Sequence, residues 1–553
     1  MSISAPRGRR ATVWVTALAA AATLAATVAL PASANDDHHD AVGHVLLLSV
    51  DGLHQTDLAW YVAHHPGSAL AALVHGGVQY TNARTPVPSD SFPGMVGQVT
   101  GGDPQATGVY YDDTYNHALL PAGTTSCAGV KPGVEVTYFE ALDKDPNSLD
   151  AGQGLAGLPG SILQMTGQPD SLINTAALPV DPKTCQPVFP GQYLKVNTVF
   201  EVARQANLRT AWSDKHVAYE ILGGRSGGIQ DLFAPEINSQ VPGAAAGADW
   251  TTDNAFTRQY DSYKVQAVLN EIDGFDHSRT HHVGTPAIFG MNFQTVSTAQ
   301  KLPVSDGLPG GYLADGVTPG PLLQGALGYI NDQVASFMSE LRKDHLDRNT
   351  AIILSAKHGQ SPTEPAALTR IPDGPLLDGL NAAWDKAHPG AGPLVAQATD
   401  DDAMLLWLTD RSPAATSFAK DYLLSQSGVG NDISGNPKPF TASGLATVFA
   451  GASAARFFHV KPGDARVPDL FGIVQHGVVY TGGKKKIAEH GGAAAEDRDV
   501  ALVVGSAASW SGGETVDRPV ETTQIAPTIL RLLGLNPNAL QAVQMEHTAV
   551  LPR

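Results

Sequence analysis

His44-Val45-Leu46-Leu47-Leu48-Ser49-Val50-Asp51-Gly52 decides the fold. His44 to Val50 is nearly all apolar, and a short run of that kind reads as a strand buried on both faces of a parallel sheet. Asp51-Gly52 then stands at the strand's C-terminal end, where open α/β sheets hold their ligands. Similar runs return at Leu208 to Trp212, Ala287 to Phe293, Ala351 to Ala356 and Val500 to Val504, with Met404 to Leu408 and Leu470 to Val474 as further strands. Ser68 to His75, Asn197 to Gln205, Asp253 to Ile272, Gly320 to about Leu341 and Thr523 to Leu533 carry helical signals. Strands alternating with helices predict an α/β fold, a mainly parallel sheet with helices on both faces.

Four polar clusters fall just past strand ends: Asp51, Asp214 to His216, Ser297 to Lys301, and Lys357-His358. One such cluster is a solvated loop; four on one sheet edge point to a composite active site. A fifth element joins them. In Thr85-Pro86-Val87-Pro88-Ser89-Asp90-Ser91-Phe92-Pro93-Gly94 a polar loop ends in Ser91, and Phe-Pro opens a helical segment, Gly94 to Thr100. Pro suits a first helical turn, where its missing N–H costs nothing. Ser91 is therefore placed at or just before a helix N-terminus, where free amides favour negative charge. It reads either as a nucleophile attacking an anionic ester or as an N-cap. Lys215 and His216, past a central strand, read as substrate-pocket residues or as an exposed turn. Asp400-Asp401-Asp402 reads as a solvated acidic turn, or as carboxylates for a surface cation.

The 553 residues carry 35 Lys and Arg against 53 Asp and Glu, a net charge of −18, which argues against a nucleic-acid backbone as partner. Residues 1–34 have the pattern of a secretory signal: Arg7, Arg9 and Arg10, an apolar Ala11 to Leu30, and the small-residue cleavage site Ala32-Ser33-Ala34. An uncleaved anchor is the alternative. No later apolar run reaches spanning length, so the expected product is secreted and cut after Ala34. Cys127 and Cys185 lie in a turn-rich segment, about 113–196, read as a cap insertion within a catalytic domain spanning 41–553. In an oxidising compartment they are expected to pair and staple the cap, with two free thiols as the alternative.

The residues, in that order, resemble the alkaline phosphatase superfamily, in its type I phosphodiesterase/nucleotide pyrophosphatase branch, from Asp51-Gly52 to Ile525-Ala526-Pro527-Thr528-Ile529-Leu530. The resemblance implies an alkaline-phosphatase-like α/β sandwich, two metal ions at the strand ends, and a Ser or Thr that is transiently phosphorylated. Asp51 matches a metal-binding aspartate, Ser91 the nucleophile, and His358 and His490 ligand histidines. Asp112 stands where the family has an Asn that helps to hold a phosphoryl oxygen. Three ligand positions depart: Ser297 and Lys301 replace an Asp and a His, and Lys357 replaces an Asp. Lysine is protonated at neutral pH and repels a cation. The resemblance thus implies at most one divalent metal, zinc or calcium, on Asp51, His358 and His490, with the second position lost, or a metal-free site. In the metal-free form Lys301 and Lys357 take over the charge and His358 or His490 handles protons. The implied function is hydrolysis of small phosphate esters, diesters or nucleotide pyrophosphates, through phosphoserine. The rivals are a non-catalytic anion-binding protein and a sulfatase-like or transferase activity, although Met95 replaces the Arg that a sulfatase nucleophile requires four residues on.

Overall fold

The computed structural model describes residues 41–155, 161–508 and 512–553; the secretory signal read over residues 1–34 lies outside them. The apolar run forms β1 (His44–Val50). Side chains alternate across a strand, so Val45 and Leu47 enter one core while Leu46, Leu48 and Val50 enter another. A strand that must feed two cores carries no polar face, which is why the run is continuous.

β1 lies inside an eight-stranded sheet with β2 (Val78–Tyr80), β3 (Ala211–Ser213), β4 (Asp231–Phe233), β5 (Ile288–Phe293), β6 (Thr350–Ser355), β7 (Val503–Gly505) and β8 (Glu514–Val516). The order is β8-β2-β7-β6-β1-β5-β3-β4. β6, β1, β5, β3 and β4 are parallel; β7 is reversed against β6 and β2. Ser49 of β1 is level with Ser355 of β6 and Asn292 of β5, and Ser213 of β3 with Met291. Four adjacent strands therefore end within a residue or two of one line, and the loops leaving them converge on one place.

Helices cover both faces. α1 (Gln55–His64), α2 (Ala69–Gly76) and the long α5 (Pro321–Lys343) pack with Leu46, Leu48 and Val50, joined by Val265, Val268 and Ile272 of α4 (Asn254–Ile272). α3 (Ser91–Thr100) and α6 (Ile525–Leu532) pack on the opposite face with Val45 and Leu47. The α5 sequence buries Leu323, Leu327, Ile330, Val334, Phe337 and Leu341, a helical stripe.

Met404–Leu408 and Leu470–Val474, read from sequence only as further strands, do not join this sheet. Ala403–Leu408 and Leu470–Val474 pair antiparallel in a separate four-stranded sheet with Val395–Asp400 and Leu445–Ala450. That sheet is also buried on both faces: Met404, Leu406 and Leu408 meet one cluster, Ala403, Leu405 and Trp407 another. Within 113–196, the described chain has one short hairpin, Asp113–Asn116 with Val134–Thr137, four 3-10 turns and a one-turn helix, Pro190–Tyr193. Cys127 and Cys185 are disulfide-bonded across 58 residues. Ile162, Leu172 and Leu178 of this segment share the core of α3 and α6.

Leu47→Ala removes a fully buried side chain between β5, β6 and the α3 layer. The expected loss is about 2–5 kcal/mol, read as a lower urea midpoint with an unchanged denaturant slope; a loss below about 1 kcal/mol would show that this core collapses around the cavity.

Candidate active site

The loop from Thr85 delivers α3 with Asp90 as its N-cap, the Asp90 carboxylate accepting from the Phe92 N–H at 3.0 Å. Ser91 is thereby relieved of capping: it is the first helical residue, and its hydroxyl faces the strand ends. Lys215 Nζ donates to Ser91 Oγ at 3.1 Å, and His358 Nε2 lies 3.3 Å from the same oxygen. His358 Nδ1 is 2.9 Å from the Gly359 carbonyl. A carbonyl can only accept, so Nδ1 carries a proton and Nε2 is the ring nitrogen turned to Ser91.

Behind these groups lies Asp51, 1 % exposed. Its carboxylate accepts from Asn292 Nδ2 at 2.6 Å and Gln294 Nε2 at 2.5 Å, with Lys215 Nζ at 3.5 Å, Lys357 Nζ at 3.6 Å and His358 Nε2 at 3.6 Å. Lys357 is fully buried, donates to the Tyr219 hydroxyl at 2.8 Å, sits over that ring and lies 3.6 Å from Asp214. Asp214 is itself fixed by the Trp212 indole N–H at 2.8 Å and the Lys215 N–H at 2.9 Å.

Burial works against the charge of every group here, and the partners decide the outcome. Against burial, Lys357, Lys215 and His358 hold the Asp51 carboxyl well below its usual range. Burial pushes Lys357 below the ordinary lysine value despite Asp214 and Asp51, whereas Asp51, Asp214, Asp112 and Asp90 together keep Lys215 above it. Lys215 is the firmly charged ammonium, and it is the one on Ser91. Burial raises Asp90. Asp112 is only partly closed off from solvent, yet its dense surroundings, with Asp90 and Asp113, push it well above the carboxylate range.

His490 lies ring to ring with His358, centroids 3.8 Å apart and tilted by 32°, and is 3.3 Å from Asp90 through Nδ1. Burial and His358 hold it well below the ordinary histidine value, so it is neutral. Lys301 is not among the partners of Ser91: its ammonium pairs with Glu489 at 2.8 Å, which Lys486 also meets. Ser297 donates to Gln360 at 2.6 Å. His216 turns away from Ser91, its Nδ1 2.9 Å from both oxygens of Glu236. The acidic turn is no solvated loop: Tyr111 donates to Asp401 at 2.7 Å, Ser361 donates to Asp402 at 3.0 Å, and Asp402 is fully buried. The side chains of Lys215, His490 and Lys301, 14 %, 11 % and 18 % exposed, mark the side of the site open to solvent.

This donor set does not fit the metals that the resemblance implies. Both oxygens of Asp51 are taken, an ammonium stands beside each, and Lys301 with Ser297 fills the second position. Among the described residues only Glu140, His216 and Glu236, and Asp273, Glu340 and Asp344, bring three ligand atoms within 4.8 Å of one another; Asp51, His358 and His490 do not. Sequence reading named Asp214 only within its cluster and did not find Tyr219, Asn292, Gln294 or Asp90 as site members. Asn292 and Gln294 flank the C-terminal residue of β5, and that position was the signal available.

Residues 45–494 match the family described as type I phosphodiesterase / nucleotide pyrophosphatase. No curated protein sequence matches the chain. Among solved structures, wild-type alkaline phosphatase PafA aligns with a TM-score of 0.58 at 14 % identity, over 90 % of this chain and 97 % of that one. Murine ectonucleotide pyrophosphatase / phosphodiesterase 5 aligns with a TM-score of 0.52 at 11 % identity, over 89 % and 96 %. At these identities the likeness shows the fold, an alkaline-phosphatase-like one.

Gly94 follows Ser91 by one turn, and a Cβ there would run into the Lys357 carbonyl. Gly94→Ala should displace α3 from the end of β6 and loosen the Ser91–His358 contact. Misplacement by a fraction of an ångström to 1 Å is expected to lower kcat about 10²-fold, with a smaller proportional change in KM, measured by steady-state kinetics on a folded variant.

Proposed function

The chain belongs to the type I phosphodiesterase / nucleotide pyrophosphatase family, and from that premise we propose that it is an exported hydrolase of small phosphodiesters or nucleotide pyrophosphates acting through a phosphoserine at Ser91. One juxtaposition carries the reading: Ser91 Oγ lies at a helix N-terminus between the Lys215 ammonium at 3.1 Å and Nε2 of His358 at 3.3 Å. The disulfide accords with an oxidising compartment, and among the described residues no helix is long and apolar enough to cross a membrane.

In this mechanism His358 Nε2 takes the Ser91 proton as Oγ bonds to phosphorus and the bond to the leaving oxygen breaks. Lys215 and the first amides of α3 receive the charge on the non-bridging oxygens. Lys357 does not face Ser91; it neutralises Asp51 so that a buried carboxylate does not repel the incoming anion. Lys301 does the same for Glu489 beside His490. Water then displaces Oγ from phosphorus, the proton on His358 returns to Ser91, and the water's proton leaves with the products. A phosphate or phenolate leaving group departs without protonation, which favours pyrophosphates and aryl diesters. Asp112, protonated by its surroundings, offers an O–H donor where the family has an Asn amide.

Bis-p-nitrophenyl phosphate hydrolysis by the exhaustively chelated mature protein tests this. Wild-type turnover should survive chelation, fall at least about 10³-fold in Ser91→Ala, and fall about 10²–10³-fold in Lys215→Met. Loss on chelation with recovery in zinc would return the chemistry to a metal. Phosphate affinity without turnover in the wild type would make this a binding protein on the same scaffold.

Asp112→Asn should keep kcat/KM within about threefold, because an amide replaces a carboxylic acid as donor, while Asp112→Ala should lose tenfold or more. The Asp112 value is raised, so its donor is present at neutral pH and lost as pH rises through that value. Wild-type KM should therefore rise on the alkaline side, and the Asn variant should lack that limb.

A further inference from the structure

Away from Ser91, past the ends of β3 and β4, the cap meets the sheet at a group the proposed chemistry does not use. Glu140, in a 3-10 turn of the cap, His216 after β3 and Glu236 after β4 bring ligand atoms within 4.8 Å of one another. His216 Nδ1 is 2.9 Å from both Glu236 oxygens; Asn238 donates its backbone N–H to Glu236 at 2.8 Å and its side-chain amide to Glu140 at 2.7 Å. A fourth group is the telling one. Asp143 is 2 % exposed, stands carboxyl to carboxyl with Glu236, and neither of its oxygens accepts a hydrogen bond from a donor group.

We propose that Glu140, His216 and Glu236, with Asp143 as fourth ligand, form a divalent-cation site that ties the cap to the loop carrying Lys215. Three carboxyl groups converge here, and among the described residues no lysine or arginine is ion-paired to any of them; a buried acid left without a donor is costly unless an ion or a proton fills the gap. A dication replaces the His216 Nδ1 proton and draws the carboxylates together. One imidazole among oxygen donors suits zinc or manganese better than calcium, which takes oxygens throughout. Glu140 is partly exposed and leaves an entry path. The protonation states accord with this. Burial and Lys215 push His216 down to about 3, leaving the neutral imidazole a metal needs, while burial and Glu236 push Asp143 up to about 10, the strain of an ion-free cluster.

The site uses neither Ser91 nor any position at which the resemblance places a metal, so it stands or falls apart from the reading of the catalytic centre. The test is zinc binding to the exhaustively dialysed mature protein, followed by metal analysis against a competing chelator and by thermal melting. Wild type should retain one equivalent and gain at least about 2 °C in Tm. Glu236→Gln should lose that equivalent and the zinc-induced rise, while its dialysed form keeps one cooperative melting transition, because the amide oxygen still accepts from the Asn238 N–H. A misfolded variant would not show that pairing, and His216→Gln supplies the same comparison. Asp51→Asn should still retain the equivalent. No zinc in the wild type, zinc unaffected by Glu236→Gln and His216→Gln, or zinc lost in Asp51→Asn would each overturn the proposal; the last would place the ion at the catalytic centre instead.

Discussion

A carboxylate shut away from water must be matched by positive charge within a few ångströms, and Asp51 imposes that demand at the centre of this molecule. Two ammonium groups, Lys215 and Lys357, answer it, with the Asn292 and Gln294 amides completing its hydrogen bonds. Lys357 leans equally on Asp214. Two cations thus face two buried carboxylates, the charge balance a dication would otherwise supply. Removing one member of such a set leaves a bare buried charge, a loss of about 3–5 kcal/mol. Side chains covalently fixed at strand ends stand where the resemblance implies an exchangeable ion, and the loops that hold them are bound to that arrangement.

The sheet makes the arrangement possible. Asp51, Lys357-His358, Asn292 with Gln294, and Asp214-Lys215 come at the ends of β1, β6, β5 and β3, four neighbours in parallel register. A slip of one residue in β6 would turn Lys357 toward the other face, so the apolar pairing of β1 with β6 fixes the electrostatics as well as the core. α3 completes the site from one face of the sheet, its approach limited by Gly94 against the Lys357 carbonyl. Core packing and the geometry of the candidate site are therefore one set of contacts.

How far this was legible in the sequence depends on the physical property each signal measures. Apolar runs report burial on two faces, so β1, β5 and β6 could be read directly. Burial does not name a partner: Met404 to Leu408 has the same appearance and belongs to a separate antiparallel sheet. The rule that ligands gather past parallel strand ends found Asp51, Lys215, Lys357 and His358 before their contacts were known. What no local pattern holds is a contact between distant segments. Lys215 reaches Ser91 across 124 residues, and the choice between capping and nucleophilic roles for Ser91 turned on whether Asp90 would cap instead. Asp400 to Asp402 failed for a related reason: acidic composition suggests solvent, but Tyr111 and Ser361 supply donors that make burial tolerable.

The two central lysines are not equivalent, and the difference divides the work between them. Lys215 is flanked by carboxylates on several sides and keeps its charge while remaining partly open to solvent, so it can meet an anion without first losing its proton. Lys357, fully enclosed and against Tyr219, is driven toward neutrality by burial and held charged mainly by Asp51 and Asp214. In the proposed reaction an incoming phosphate would lie nearest Lys215 and add negative charge to the neighbourhood, which would favour the charged form of both. On that reading substrate binding would strengthen the cation it needs, whereas an empty site at high pH would weaken it. A metal ion has no such dependence on its own protonation, and its bound water can supply a nucleophile that a lysine cannot. In the proposed second half-reaction the burden of activating water then falls to the neighbouring His490, because His358 holds the serine proton until Oγ leaves phosphorus.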